Sequence, residues 1–354
     1  MLLPDGVLSS ARVVEPQDMR GRTCGLQSAD MSGVGRDRKS VREFGAALSA
    51  WYGRQRRDLP WRRDVDPYRV WISEVMLQQT RVAAVIPYYE RFLRRFPTVE
   101  RLARARESSV LAAWSGLGYY RRARMLHQAA RQVAGSMSGV FPRTLEGWLA
   151  LPGIGAYTAA AVTSIVYDVP AAVVDGNVER VLRRVTGREL TRKQAFAAAG
   201  EMLNRAAPGD HNQAMMELGA TVCLPKIPLC AQCPVVDFCA TRGADAQRQK
   251  EIRNRRRVAY GLSRRNGAVY LVQRPADASL MARMWELPQL SAAPVASPML
   301  KVRHSITNTD YEVAVYERAR PRAKNGRWVP LRSLSGLPLT GLTRKVLRGV
   351  DALV

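Results

Sequence analysis

With 354 residues, the chain is too long for a single small module and long enough for two or three domains with sizeable apolar cores. Its 55 lysines and arginines outnumber its 30 acidic residues, and a formal net charge of +25 favours a polyanionic partner, most simply nucleic acid, over a merely solvated basic surface. No apolar run approaches the ~18 residues of a membrane span, and the first residues do not read as a signal peptide, so we expect a cytoplasmic protein with no membrane partner.

The first two-thirds of the chain divides into an irregular start and a helical region. Residues 1–38 mix Gly, Ser, Asp and Arg without helical or strand periodicity, and we interpret them as a disordered extension or a mis-assigned start. From Val41 to about Gly219, apolar residues recur at three- and four-residue steps between short Gly, Pro and Asp breaks. This pattern predicts an all-helical region, within a domain of residues 39–240.

The stretch WISEVMLQQT, residues 71–80, places one carboxylate, Glu74, in an apolar helix and ends with two glutamines. A carboxyl group in an apolar pocket has its pKa raised toward neutral pH, which suits a general acid. The alternative is a structural glutamate neutralised by a buried arginine such as Arg57 or Arg62.

A glycine pair lies at residues 151–162, in LPGIGAYTAAAV. Gly153 and Gly155 allow a tight turn, and the helix that follows presents backbone N–H groups and a positive end, which together suit a phosphate. A turn of this kind between helices is also compatible with a purely structural connection.

Asp175 precedes another helix, in VVDGNVERVLRR, residues 173–184. An isolated aspartate before a helix is most simply an N-cap, so a chemical role for Asp175 depends on what surrounds it.

Four cysteines are spaced C-x6-C-x2-C-x5-C, at Cys223, Cys230, Cys233 and Cys239. Such close spacing suits a metal site better than a disulfide framework, and one CxxC flanked by two single cysteines does not favour zinc. Lys226 lies in the first intervening loop, where it either contacts a phosphate or is an ordinary exposed charge.

The character of the sequence changes after the cysteines. Residues 241–257 include the basic run RQKEIRNRRR and are interpreted as a linker. Residues 258–354 are β-branched and aromatic, with turn residues between, and predict a small α+β domain with a hairpin at Arg265-Asn266-Gly267.

Seven blocks occur in one order, namely DLPWR, WISEVMLQQT, GLGYYRRAR, LPGIGAYTAAAV, VVDGNVERVLRR, NQAMMELGATVC and the cysteine loop. In order and spacing they resemble the MutY family of adenine DNA glycosylases, within the endonuclease III superfamily, over about residues 42–240. The resemblance implies a multidomain protein whose all-α helix-hairpin-helix core carries an iron-sulfur loop at residues 223–239, with one 4Fe-4S cluster held by the four cysteines. Bifunctional members carry a Schiff-base lysine where this chain has Tyr157, so a monofunctional, hydrolytic enzyme is expected.

The resemblance also implies roles for individual residues. Glu74 is expected to protonate adenine at N7, and Asp175 to stabilise an oxocarbenium-like transition state, either electrostatically or by transient covalent attack. Tyr157 and Asn177 match positions that assist by hydrogen bonding. The positions that match the adenine pocket are Arg57, Leu59, Trp61, Arg62, Leu77 and Gln213. The positions that match DNA contacts are Gln78, Gln79, Thr80, Leu117, Tyr119, Gly153, Gly155 and Lys226.

Several of these residues have structural alternatives. Gln78 and Gln79 suit a wedge that fills the gap left by a flipped base, and Gln213 suits a bidentate contact with an adenine edge. Trp61 and Tyr119 are, by residue type, more ordinarily core residues, so their placement rests on the resemblance.

Residues 258–354 resemble the NUDIX-like domain with which MutY enzymes sense 8-oxoguanine, through MWELPQL and VRHSITNTDYEVAVY. No run of the REx2EEx type is present, so diphosphate hydrolysis is not expected. Where the family commonly has Phe-Ser-His, this chain has Ile306-Thr307-Asn308. Ser305, Thr307 and Asn308 are the positions that match lesion sensing.

The implied function is base excision repair of adenine mispaired with 8-oxoguanine or guanine in double-stranded DNA, by a monomer associated with the nucleoid. Two alternatives remain at this stage. One is a thymine glycosylase for G·T mismatches, against which the Glu74 block and the appended domain argue. The other is a non-catalytic iron-sulfur DNA-binding protein, which the presence of both Glu74 and Asp175 disfavours.

Overall fold

The structure, a computed structural model, describes residues 38–243, 254–306, 309–318 and 325–352. The predicted disordered extension therefore lies outside the described residues, except for Arg38, which begins the first helix. Across the described ranges, no helix is both long enough and apolar enough to cross a membrane.

The first part of the chain is helical, as the periodicity predicts. Its helices are α1 (Arg38–Gln55), α2 (Pro67–Leu77), α3 (Val82–Arg95), α4 (Val99–Ala103), α5 (Glu107–Trp114), α6 (Arg121–Ser136), α7 (Leu145–Leu149), α8 (Ala156–Tyr167), α9 (Gly176–Thr186), α10 (Arg192–Met202) and α11 (Pro208–Thr221).

The helices bury two apolar cores. The first core lies among α2, α3, α5 and α6 and includes three fully buried tryptophans, Trp71, Trp114 and Trp148. The second core lies among α1, α9, α10 and α11, together with Val235 from the cysteine loop. Helices α2 and α8 pack on each other, and so do α8 and α11, so the residues on these three helices are brought together.

Local signals explain where the central helices begin. Helix α2 starts at Pro67 after the N-cap Asp66, whose side chain accepts a hydrogen bond from Arg69 N. The turn before α8 needs Gly153, because its φ is +75° and a Cβ there would lie 2.3 Å from Met125 Cβ. The sequence thus fixes the direction in which α8 leaves the turn.

The second part of the chain contains two sheets and one helix. Its elements are β1 (Asn254–Leu262), β2 (Arg264–Arg265), β3 (Ala268–Gln273), β4 (Trp285–Glu286), β5 (Leu300–Ile306), β6 (Thr309–Glu317), β7 (Gly326–Pro330) and α12 (Gly341–Gly349). One sheet has the order β1-β6-β5, with β1 and β6 parallel and β5 and β6 antiparallel. In the other, β3 pairs antiparallel with β2, β4 and β7.

The predicted hairpin is confirmed, because β2 and β3 pair across Asn266 and Gly267, which have φ values of +47° and +68°. Strand β1 begins at Asn254, within the segment interpreted as a linker, and pairs with β6 from its first residue. The last four residues of that basic segment therefore belong to the sheet.

The two parts of the chain share a packed boundary. The hydroxyl groups of Ser115 and Tyr120 both donate to the carbonyl oxygen of Leu339, at 2.6 and 3.1 Å. Arg124, on α6, donates to the carbonyl oxygen of Ala282. Met284 is fully buried and belongs to the first helical core, although it lies in the second part of the sequence.

Candidate active site

A single cleft collects most of the predicted site residues. Its volume is about 1810 Å³, which exceeds the ~300 to 1,000 Å³ of pockets for small ligands and leaves room for part of a polymer. The predicted residues that line it are Arg57, Leu59, Trp61, Arg62, Glu74, Leu77, Gln78, Gln79, Thr80, Leu117, Tyr119, Gly153, Tyr157, Asp175, Asn177, Gln213 and Ser305.

Four predicted residues, besides the four cysteines, stand apart from this set. Gly155 and Lys226 do not line the cleft, and Lys226 is an exposed residue of the cysteine loop. Thr307 and Asn308 lie outside the described residues. Of the positions predicted for lesion sensing, only Ser305 is described; its hydroxyl donates to Asp310 Oδ1 at 2.6 Å.

Glu74 lies on α2 with only 5% of its surface exposed. Tyr157, on α8, donates a hydrogen bond from its hydroxyl to Glu74 Oε2 at 3.0 Å. Burial raises the pKa of Glu74 to about 7, the nearby Asp175 charge adds to that rise, and the Tyr157 hydrogen bond opposes it. Glu74 is therefore a carboxyl group that is both protonated and ionised in appreciable amounts near neutral pH.

The alternative, in which Arg57 or Arg62 neutralises Glu74, is wrong because both arginines bind another glutamate. Arg57 and Arg62 both bind Glu217, on α11, with Arg57 Nε 2.6 Å from Oε1 and Arg62 Nη2 2.9 Å from Oε2. Burial works to raise the pKa of Glu217, but the hydrogen bonds from the two arginines outweigh it and lower that pKa to about 2. The cleft thus contains two buried glutamates with opposite electrostatic surroundings.

Asp175 is the N-cap of α9, which was its structural alternative. Its Oδ1 accepts hydrogen bonds from Asn177 N at 2.9 Å and Val178 N at 2.7 Å, and its Oδ2 accepts one from Asn177 Nδ2 at 3.1 Å. Both oxygens of Asp175 therefore accept hydrogen bonds at the N-terminus of α9. The Asp175 side chain therefore both caps α9 and lines the cleft.

Asn177 is itself held by Arg180, one turn further along α9. Arg180 Nη2 donates to Asn177 Oδ1 at 2.9 Å and to the carbonyl oxygen of Gly219 at 2.6 Å. Its Nε donates to the carbonyl oxygen of Cys223 at 2.8 Å. Arg180 therefore joins the Asp175 turn, the end of α11 and the first cysteine.

The residues predicted for the adenine pocket all line the cleft. Trp61 is 7% exposed and packs edge-on against Tyr89 at 5.4 Å, so it belongs to the core and also forms part of the cleft wall. The Gln213 Oε1 atom accepts a hydrogen bond from the Tyr52 hydroxyl at 3.2 Å, which leaves the amide NH2 of Gln213 for a ligand. Leu59 and Leu77 supply apolar surface to the same cleft.

The two glutamines differ in what holds them. Gln78 is half-buried and its Nε2 donates to Thr158 Oγ1 at 3.0 Å, whereas Gln79 is exposed with a left-handed backbone at φ +55°. Tyr119 is 44% exposed, also left-handed at φ +48°, and is therefore not the core residue that its type suggests. Gln79 and Tyr119 are therefore exposed side chains that line the cleft.

The glycine turn leaves an open approach to the start of α8. A Cβ on Gly155, the N-cap residue, would meet nothing within 4 Å, and no side chain caps the helix. The first N–H groups of α8 are thus left for solvent or for an anion.

The four cysteines line one small cavity. Arg184 Nη1 lies 3.3 Å from Cys223 Sγ, and Cys239 Sγ lies 3.4 Å from the carbonyl oxygen of Arg184. Burial, with smaller contributions from the charges of the other cysteines, raises the pKa of the Cys233 thiol to about 11. Within the described part of the chain, no three Cys, His, Asp or Glu side chains converge tightly enough to hold a single metal ion.

Three important residues were missed in the sequence. Glu217 carried the same signal as Glu74, an acid within the apolar stretch NQAMMELGATVC. Arg122 and Arg180 carried no distinguishing signal, because each lies in a basic stretch and its partners are distant in sequence.

The comparisons with known proteins fit this geometry. The family model described as "HhH-GPD superfamily base excision DNA repair protein" matches residues 72–205. The human adenine DNA glycosylase is 47% identical over 229 residues, which cover 60% of this chain and 42% of that protein. The adenine DNA glycosylase of Mycobacterium tuberculosis (strain CDC 1551 / Oshkosh) is 43% identical over 205 residues, covering 56% of this chain and 67% of that protein.

A solved structure of a thermostable thymine-DNA glycosylase superposes with a TM-score of 0.55 at 29% identity, covering 58% of this chain and 98% of that one. A non-covalent endonuclease III–DNA complex, at a TM-score of 0.52 and 20% identity, shares the fold. The chain spans less than half the length of the human, rat and mouse relatives that it matches.

Proposed function

The chain belongs to the adenine DNA glycosylase family, and from that membership we propose that it hydrolyses the N-glycosidic bond of adenine mispaired with 8-oxoguanine or guanine in double-stranded DNA. The observation that carries the proposal is the pair of unlike carboxyl groups in one cleft. Glu74 is buried, with a pKa of about 7, while both oxygens of Asp175 accept hydrogen bonds at a helix N-terminus. Two carboxyl groups in such unlike surroundings suit a division between proton donation and charge stabilisation.

Glu74 is the proposed general acid. Adenine leaves poorly as an anion, so its ring must gain a proton, at N7, as the bond to the sugar breaks. Tyr157 occupies Oε2 of Glu74, which leaves Oε1 to face the base. At neutral pH a carboxyl group with a pKa of about 7 is protonated in roughly half of the molecules, against about one in 300 for an ordinary glutamate.

Asp175 is proposed to stabilise the positive charge that develops on the sugar, electrostatically or by transient covalent attack. The three hydrogen bonds that fix its carboxylate reduce the rearrangement needed during the reaction. Tyr157 and Asn177 orient the two carboxyl groups. Because Tyr157 stands where bifunctional relatives have a lysine, the reaction is monofunctional hydrolysis.

The remaining cleft residues are proposed to handle the DNA. Chemistry on a base requires its extrusion from the duplex, so a pocket must receive the adenine and a wedge must fill the gap. Arg57, Leu59, Trp61, Arg62, Leu77 and Gln213 form the pocket. Gln79, with Gln78, Thr80, Leu117 and Tyr119, lies on the side of the gap and the opposite base. The turn at Gly153 and Gly155 and, outside the cleft, Lys226 supply phosphate contacts.

One 4Fe-4S cluster is proposed at Cys223, Cys230, Cys233 and Cys239. The cavity that the four cysteines share supports this proposal, because it brings four thiol ligands of the kind that hold iron–sulfur clusters into one place. The bound cluster would supply a rigid cross-link for the loop, since hydrolysis needs no electron transfer. Arg180 connects that loop to the Asp175 turn.

The second part of the chain is proposed to be a NUDIX-like domain that senses the base opposite adenine. Ser305 lines the same cleft as Glu74, which supports this placement. Thr307 and Asn308, which lie outside the described residues, are proposed to carry the rest of the sensing. The protein is proposed to act as a monomer on DNA.

The test is single-turnover base release from three duplexes that differ in one pair, A·8-oxoG, A·G and T·G. Adenine release fastest opposite 8-oxoguanine is expected, with Glu74→Gln as the inactive control. Equal rates opposite guanine and 8-oxoguanine would remove the lesion-sensing role alone. Release of thymine would assign the chain to G·T repair, and no release from any duplex would leave a DNA-binding protein without catalysis.

A further inference from the structure

Arg122 lies in the first turn of α6 and extends its guanidinium beneath the end of α2. Its Nη1 donates to the carbonyl oxygens of Val75 at 2.7 Å, Met76 at 3.1 Å and Gln78 at 2.5 Å. These are carbonyl groups at the last turn of a helix, which lack partners within the helix and attract a cation. One side chain therefore closes the helix that carries Glu74.

The same guanidinium contacts a second loop. Its Nη2 donates to the carbonyl oxygen of Gly118 at 3.4 Å and to Thr80 Oγ1 at 3.3 Å. Its Cζ lies 5.4 Å from the ring centre of Tyr119 and 5.6 Å from that of Trp114. Arg122 thus touches both the glutamine loop, residues 78–80, and the tyrosine loop, residues 116–119.

Both loops are held in costly backbone conformations. Gln79 and Tyr119 have φ values of +55° and +48°, and left-handed backbone at a non-glycine residue costs about 1–3 kcal/mol where the surroundings do not impose it. Exposed loops relax from such conformations unless something holds them. The hydrogen bonds from Arg122 go to the residues directly before Gln79 and Tyr119, namely Gln78 and Gly118.

Burying the guanidinium of Arg122 costs free energy. Burial lowers the pKa of its guanidinium to about 10, which Tyr119 partly opposes, and its Nε is buried without a partner among the described residues. A cation with five acceptor atoms and two aromatic faces around it remains charged at neutral pH. A lysine would keep the charge but not the planar fork that reaches two loops at once.

We propose that Arg122 is a positioning residue that locks the glutamine loop and the tyrosine loop at one separation, so that Gln79 and Tyr119 enter the DNA stack together when adenine is extruded. The proposal rests on the proposed function, because it concerns extrusion of the base that Glu74 protonates. Arg122 does not itself meet the reacting atoms. Arg122 instead affects the extrusion step and the insertion of the two loops into the gap that the extruded adenine leaves in the DNA.

The experiment follows extrusion separately from chemistry. A duplex with 2-aminopurine, an adenine analogue whose fluorescence rises when it leaves the stack, is mixed rapidly with excess enzyme opposite 8-oxoguanine. We expect Arg122→Met to slow the fluorescence rise by at least about tenfold, since misplacement by about 1 Å can cost up to ~100-fold, and Arg122→Lys to fall between. Arg131→Met, on the same helix and away from the cleft lining, is the matched control.

Two further readouts separate positioning from general structural damage. Adenine opposite an abasic-site analogue is not held by a base pair, so the Arg122 variants should release it with a smaller defect than adenine opposite 8-oxoguanine. The alkaline limb of the pH–rate profile, which Glu74 sets, should be the same in the variants and in the wild type. The proposal would be overturned if the release defect were equal on the two duplexes, or if the alkaline limb of the pH–rate profile moved in the variants. Should Arg122→Met not fold, the folded Arg122→Lys variant decides by the same comparison.

Failure of the inference and failure of the proposed function give different results. Wild-type enzyme that neither extrudes 2-aminopurine nor releases adenine would remove the function on which the proposal rests. Wild-type enzyme that does both, together with an Arg122→Met variant that extrudes at the wild-type rate, would leave the function intact and refute the positioning role.

Discussion

Replacing Glu74 with glutamine should have two opposite effects, because the site that makes Glu74 useful also destabilises its charged form. Its pKa is about 7 in the folded protein against an ordinary value of 4.5, a difference worth about 3 kcal/mol. A carboxyl group with a raised pKa contributes its full stability below pH 4.5, and that contribution is lost as the pH rises through 7. Glutamine resembles the protonated form at every pH and still accepts the Tyr157 hydrogen bond.

We therefore expect the Glu74→Gln variant to lose adenine release by about 10² to 10⁴-fold, while its free energy of unfolding gains about 2.5 kcal/mol relative to wild type between pH 5 and pH 8, because part of the difference is already lost at pH 5. The assay is urea unfolding at the two pH values, beside single-turnover release.

Glu217→Gln is the matched control, since its pKa of about 2 is held down by Arg57 and Arg62. It should destabilise the fold by about 3 kcal/mol equally at pH 5 and pH 8, because both lie above either pKa of Glu217. A difference between wild type and Glu74→Gln that does not change with pH would refute the account of Glu74 as a desolvated acid.

Three other variants test separate parts of the site. Tyr157→Phe removes a hydrogen bond that lowers the pKa of Glu74, so the alkaline limb of the pH–rate profile should move up by about one pH unit, and a downward movement would contradict this. Asp175→Asn still caps α9, so thermal stability should change by less than ~1 kcal/mol while single-turnover release falls by about 100-fold or more; equal loss of both would make Asp175 purely structural. Cys233→Ser should reduce iron content, thermal midpoint and DNA affinity together, and unchanged affinity in iron-free protein would argue against the cluster.

The parts of the fold that were predictable are those whose cause is local. The hairpin at Asn266 and Gly267 follows from two adjacent residues that tolerate positive φ. The helix containing Glu74 follows from apolar spacing and from Pro67 at its start. The capping role of Asp175 was equally visible, since a short polar side chain directly precedes a helix.

The parts that were not predictable depend on residues far apart in the chain. Glu217 binds two arginines that are 155 and 160 residues away, so composition suggested a neutralised glutamate but not which one. The difference between Gln78 and Gln79 depends on Thr158, 80 residues from Gln78. Periodicity cannot distinguish two adjacent glutamines when the difference between them comes from α8, a helix that is distant in the sequence.

The burial of Met284 in the helical core bears on how this protein can be divided. A boundary drawn in the basic segment after the cysteines would separate Met284 from the helices that enclose it, and would also remove the Leu339 carbonyl that receives Ser115 and Tyr120. The helical half, cut there, would expose to water the apolar side chains that enclose Met284 and the two hydroxyl groups that donate to Leu339. Anyone who engineers a shorter version must therefore replace this apolar surface with polar residues, and substitutions on either side of the boundary are expected to be constrained by the other side.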